Sequence, residues 1–156
     1  MITMMTSSPL DSDPVPSPVR GATIVDVFKE TTRAHAARTA LQWREQEEWQ
    51  SLSWGDYERS VTSVAIALRD WGLVHGDRVG ILATNRPEWH IVDIAAMSAR
   101  LVSVPVYPSN AASQVCYVLA HSGARVCFVE NVDQLTKVLL RRSELPALEH
   151  VVVMDD

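Results

Sequence analysis

RVGILATNRPEWHIVDIAAMSARLVSVPV, residues 78–106, decides the fold: two short runs rich in β-branched residues flank a stretch of helical character. Residues 78–83 and 102–106 have strand length and composition. Between them Pro87 suits a first helical turn, where its missing N–H would be unpaired anyway, so a helix is predicted over 87–98. Strand, helix, strand is a βαβ unit, and the theme continues downstream. Residues 125–129 and 150–153 read as further strands, with helices predicted over 113–121 and 132–142. Parallel strands covered on both faces are apolar throughout, and Val102-Ser-Val-Pro-Val106 and Val151-Val-Val153 nearly are. The fold class is α/β: a partial, right-handed, doubly wound parallel sheet with flanking helices.

Upstream of this sheet the periodicity changes. Ser53-Trp-Gly-Asp56 reads as a helix start, where the hydroxyl accepts an orphan backbone N–H and the acid suits the positive dipole end. Tyr57, Val61, Val64, Ala65, Leu68 and Trp71 share one face of that helix, and Gly72 stops it because a residue without Cβ takes a left-handed cap cheaply. Residues 39–43 and 48–52 predict a short β-hairpin, although its polar turn lacks Asn-Gly or Asp-Gly chemistry. Ile24, Val27, Phe28, Thr31 and His35 recur at helical spacing and predict an opening helix with that face inward. Residues 7–18 hold four of the eight prolines. Such a composition cannot bury enough apolar surface to order itself, so residues 1–20 are expected to be a loose tail and 21–156 the folded part.

A chain of 156 residues, 47% hydrophobic and 21% charged, has the size and balance of one globular unit. Its net charge of −5 argues against nucleic acid or an anionic membrane surface as partners. No apolar run reaches the length of a transmembrane segment or a signal-peptide core. Cys116 and Cys127 lack CxxC spacing and sit in apolar runs, which predicts buried free thiols and fits a cytoplasmic location.

In open parallel sheets ligands bind beyond the carboxyl ends of the strands, here residues 84–86, 107–110, 130–131 and 155–156. Chemistry-bearing motifs are absent from these loops and from the rest of the sequence. The six glycines form neither GxGxxG nor GxxxxGK[ST], so no phosphate cradle is encoded. Gly76-Asp77 reads as a turn feeding the strand at Arg78. The five histidines form no metal-binding pair; His90 reads as a helix-surface or subsite-wall residue and His121 as a helix-end cation. Asp155-Asp156 reads as loop, Trp54, Trp71 and Trp89 as core, and neither Lys29 nor Lys137 is expected at a strand's carboxyl end. Catalytic residues: none; cofactor-binding residues: none; metal ligands: none.

The order of phrases is more telling than any single motif. Ser51-Leu-Ser-Trp-Gly-Asp-Tyr57 resembles the LTYxEL box of adenylate-forming (AMP-binding) enzymes, and Gly72-Leu-Val-His-Gly-Asp-Arg-Val-Gly-Ile-Leu82 resembles the segment that follows it. Asn85-Arg-Pro-Glu-Trp89 and Val104-Pro-Val-Tyr-Pro108 are similar to the NRPEW and VPxYP phrases of the long-chain acyl-CoA synthetase branch. Gln114-Val-Cys-Tyr-Val-Leu119 and His121-Ser-Gly-Ala-Arg-Val126 continue the match. The resemblance implies the N-terminal portion of a long-chain fatty acid–CoA ligase, an enzyme that uses ATP, Mg2+ and coenzyme A. It also implies that the family's phosphate loop, nucleotide-contacting segments and catalytic lysine lie beyond Asp156, so the chain alone is expected to be inactive. The alternatives are a non-catalytic interaction module or gene remnant of the same family, and an unrelated ligand-binding domain. An apolar sheet edge is expected to favour self-association.

Two departures from the family pattern carry structural expectations. Arg100-Leu101 stands where the long-chain branch has a small Ala-Gly or Gly-Gly, placing a Cβ where a left-handed cap is expected. Ser109-Asn-Ala-Ala112 replaces a Thr/Ser-rich phrase and loses hydroxyls that would bond the backbone.

Overall fold

The computed structural model describes residues 22–155. The proposed tail, residues 1–20, lies outside them. The order of elements is α1 (Ile24–His35), β1 (Thr39–Glu45), β2 (Glu48–Ser53), α2 (Trp54–Asp70), β3 (Arg78–Leu82), α3 (Pro87–Ser98), β4 (Val102–Val106), α4 (Ala112–Ser122), β5 (Val126–Val129), α5 (Val132–Leu139) and β6 (His150–Val153). Strands β3 to β6 form one parallel sheet in the order β4-β3-β5-β6, and β1-β2 is a separate antiparallel hairpin.

Side-chain alternation along the inner strands divides the core into two layers. Val79 and Ile81 of β3 and Val126 and Phe128 of β5 pack with Leu68 of α2 and with Val92 and Ala96 of α3. Leu82, Cys127 and Val129 face the other way, onto Val115 and Leu119 of α4 and Val138 of α5. Helices cover both faces, which is the doubly wound arrangement. Gly80 permits α4 to come close: a Cβ there would lie 2.6 Å from Leu119 Cδ2 and 3.2 Å from Cys127 Sγ. The edges differ from the centre. Val102 is exposed and Pro105 sits on the β4 edge, where a missing N–H costs no ladder bond.

Local chemistry sets the helix ends. Ser53 Oγ accepts the Asp56 N–H at 3.1 Å to start α2, and Thr23 with Asp26 forms a reciprocal capping box at α1. Helices α2, α3 and α4 end in the same double hydrogen bond. Leu73 N–H reaches Leu68 C=O, Leu101 N–H reaches Ala96 C=O, and Ala124 N–H reaches Leu119 C=O, each with a companion bond from the preceding residue. That preceding residue is left-handed each time: Gly72 (φ 77°), Arg100 (φ 61°) and Gly123 (φ 62°). The α3 turn therefore keeps the cap geometry despite its arginine.

Several sequence expectations are corrected. Helix α5 ends at Leu139, followed by a 3-10 turn at Arg142–Glu144, because the chain must turn back to enter β6. Helix α1 buries Phe28 and Thr32 and leaves Ile24, Val27 and His35 exposed, since only the Phe28 side meets Trp54 and Tyr57 of α2. Trp71 is not core: it stacks on His150 at the edge strand, with ring centroids 4.6 Å apart. The hairpin extends to Glu45 and Ser53, and Gln46 and Glu47 both take positive φ in its two-residue turn.

At the amino ends of the strands, Arg125 ties three loops together. It donates to both carboxylate oxygens of Glu149 at 2.9 and 2.7 Å, to Asp77 at 2.5 Å and to the Gly72 carbonyl at 3.1 Å. Asp77 also accepts the Val74 N–H at 2.8 Å. That bond, followed by Arg125, lowers the Asp77 pKa, and Arg125 lowers that of Glu149.

Candidate functional site

The chain leaves β3 toward β4 on one side and leaves β5 toward β6 on the other, so the sheet's switch point lies between the carboxyl ends of β3 and β5. That crevice is bridged by side chains. Thr84, just after β3, donates its N–H and hydroxyl to the Glu130 carboxylate at 2.7 and 3.0 Å. The Glu130 N–H in turn donates to Leu82 C=O at 2.9 Å. Next to this clasp Arg86, at the start of α3, donates to Glu88 at 2.6 Å and pairs with Asp155 beyond β6. Burial opposes the Arg86 charge, but these two carboxylates outweigh it and raise its pKa.

Between the carboxyl ends of β3 and β4 opens a cleft of about 650 Å³, walled by Asn85, Trp89, Tyr107 and Pro108 over a floor of Ala83 and Val106. Tyr107 is 77% exposed at its lip. The turn carrying Tyr107 is held from an unexpected direction. Lys137, on α5, donates to the carbonyls of Pro108 and Asn110 at 2.6 and 3.0 Å. Sequence reading kept Lys137 away from the strand ends, yet its long side chain spans from α5 to the β4 rim. A larger hollow of about 750 Å³, bordered by Lys29, His75 and Arg100, opens at the amino ends instead. The carboxyl-end cleft is the better site candidate, because loops there vary without disturbing the strand pairing that ligands sit above in open sheets.

This arrangement can shape a wall and position an apolar or aromatic-contacting group. The rim carboxylates Glu130 and Asp155 are engaged by Thr84 and Arg86. Among the described residues no three His, Cys, Asp or Glu come together as a metal ion requires. The strongly perturbed thiol and phenol belong to the core: burial pushes Cys127 and Tyr57 up to about 12, and the Tyr57 hydroxyl donates to the His90 carbonyl at 3.1 Å. His90 is exposed on α3, and His121 stacks on Tyr117 in the last turn of α4. Among the described residues no helix is long and apolar enough to cross a membrane.

The AMP-binding enzyme family matches residues 28–156. The chain belongs to that family. It is 35% identical over 134 residues to the long-chain-fatty-acid–CoA ligase heimdall of Drosophila melanogaster, covering 83% of this chain and 20% of that one. An uncharacterized Mycobacterium tuberculosis protein, Rv1549, is 33% identical over 108 residues, covering 68% of this chain and 58% of its own length. Among solved structures, the anthranilate CoA ligase AuaEII in complex with anthranoyl-AMP superposes with a TM-score of 0.75 at 25% identity, over 83% of this chain and 24% of that one. The chain spans about a fifth of the length of the curated ligases it matches. In this chain the phrases at 85–89 and 104–108 supply the cleft residues Asn85 and Trp89 after β3 and Tyr107 and Pro108 after β4.

Proposed function

We propose that this chain is the opening, scaffold-forming part of a cytoplasmic, ATP-dependent ligase that joins a long-chain fatty acid to coenzyme A through an acyl-adenylate. The observation that carries this reading is the family match across 28–156 combined with 35% identity to a long-chain-fatty-acid–CoA ligase. Residues 21–156 act as one part of the AMP-binding domain, with residues 1–20 as an appended tail. The carboxyl-end cleft contributes a wall, and ATP, Mg2+ and coenzyme A bind through segments that this sequence does not contain. Adenylation needs donors and a metal held around the α-phosphate. Neither a glycine-rich nest nor a suitably placed free lysine is encoded here, Lys137 being occupied by two carbonyls. Left uncovered, the sheet edge favours self-association.

Exchange of labelled pyrophosphate into ATP, run on the purified 156-residue chain with a panel of fatty acids, tests the assignment of the chemistry. The expected result is no acid-dependent exchange above a protein-free control; clear exchange overturns the scaffold reading. A second reading, a stand-alone interaction module, draws on the Mycobacterium tuberculosis relative, of which 108 aligned residues already make up 58%. Such a module binds a partner protein without any nucleotide requirement, and pull-down with and without ATP separates it from the ligase reading.

A further inference from the structure

Helix α4 begins without the side-chain bond that normally starts a helix. Its N-cap is Ala111, in the extended geometry of a capping residue (φ −65°, ψ 158°) but with no oxygen to accept an N–H. Only half of a capping box survives, the Gln114 side chain accepting the Ala111 N–H at 2.9 Å. The preceding turn is closed by one backbone bond, from Asn110 N–H to Tyr107 C=O at 3.0 Å. A segment this poorly tied on its own is a soft place in the fold. Yet it carries Tyr107 and Pro108, one whole wall of the carboxyl-end cleft.

The Lys137 ammonium supplies what the turn lacks. Its two carbonyl acceptors flank Ser109, so one cation ties down the turn on both sides of that residue, from an element 27 and 29 residues away in sequence. Charge-assisted bonds of this kind are stronger than neutral ones, and the partly buried setting screens them less. We propose that Lys137 is the positioning residue of the carboxyl-end cleft, holding the Tyr107–Asn110 wall in place and so setting the width of the opening toward Trp89. Its importance to the ligase rests on the functional reading above; its hold on the wall does not.

Amide hydrogen exchange on the 156-residue chain tests this directly, because it reads each segment separately. In Lys137→Met, a change that keeps the aliphatic stem, exchange of the hydrogen-bonded amides of Asn110, Ala111 and Gln114 is expected to accelerate at least about tenfold, the equivalent of one charge-assisted bond. The amides of β3 and β5 are expected to keep their wild-type rates. Lys137→Arg, whose guanidinium keeps the charge and carries donors enough for two carbonyls, is expected to restore most of the protection. Unchanged exchange across residues 107–115 in Lys137→Met overturns the proposal. So does uniform acceleration across the sheet, which means a general packing role, and so does failure of Lys137→Arg to rescue. None of these outcomes depends on pyrophosphate exchange, so the two readings fail independently.

Discussion

Arg100 occupies a backbone conformation that suits glycine. The α3 turn needs a left-handed residue to complete its two terminal hydrogen bonds, and a side chain there costs about 1–2 kcal/mol. Glycine removes that strain but loses more backbone entropy on folding, about 0.4–1 kcal/mol. Arg100→Gly is therefore expected to stabilise the chain by about 0.5–1 kcal/mol, read as a higher denaturant midpoint at unchanged slope. The Arg100 side chain is exposed, so its removal gives up little packing to offset this gain. Cys127 makes the opposite kind of prediction. Its thiol is fully buried and burial pushes its pKa up to about 12, so thiolate is scarce and access is blocked. A disulfide-exchange reagent at mildly alkaline pH is expected to leave Cys127 unmodified in the folded chain and to label it on unfolding; fast native labelling contradicts the packing described.

At the scale of elements, the missing cap on α4 is repairable. Ala111→Ser places a hydroxyl where the backbone already has capping geometry, and about 1 kcal/mol of stabilisation is expected. Thermal melting of the two chains checks it, and no gain means the Gln114 N–H is already satisfied by the Ala111 carbonyl, to which it donates at 2.9 Å. The elements themselves were largely readable from sequence, because their signals are local. Pro87 marks the first turn of α3, Ser53 and Asp56 mark α2, and Gly72 and Gly123 mark helix ends. What failed was decided by partners rather than by pattern. Helix α1 has apolar residues on two adjoining sides, and only contact with Trp54 and Tyr57 selects the Phe28 side. The candidate site divides along the same line. The topology rule located its loops, but the clasp joins Thr84 to Glu130 across 46 residues and Arg86 to Asp155 across 69, and no spacing in the sequence announces such pairs. Lys137 shows the same limit: its place on the α5 helix is legible in the sequence, and the reach of its side chain to the Pro108 and Asn110 carbonyls is not.

For the whole molecule, acid sensitivity follows from the Arg125 junction that fastens the amino ends of the sheet. Asp77 and Glu149 both have lowered pKa values in the folded chain, against unfolded values of about 3.9 and 4.3. A depressed carboxylate pKa contributes stability above the unfolded value and loses it as pH falls through the folded one. Stability is thus expected to be level near neutrality and to drop below about pH 4. In Asp77→Asn that drop is expected to be shallower, from a lower neutral-pH starting point, and denaturant midpoints measured across the acid range compare the two directly. An equally steep drop in the variant removes Asp77 from the account. The strand order β4-β3-β5-β6 reaches into the making of the protein as well as its finished state. On a ribosome β3 and β4 emerge close together and can pair at once, whereas the other side of β3 stays bare until Val129 has cleared the exit tunnel. Inner strand β3 thus keeps one flank open until β5 has been made, and that nascent flank is a place for a chaperone to shield.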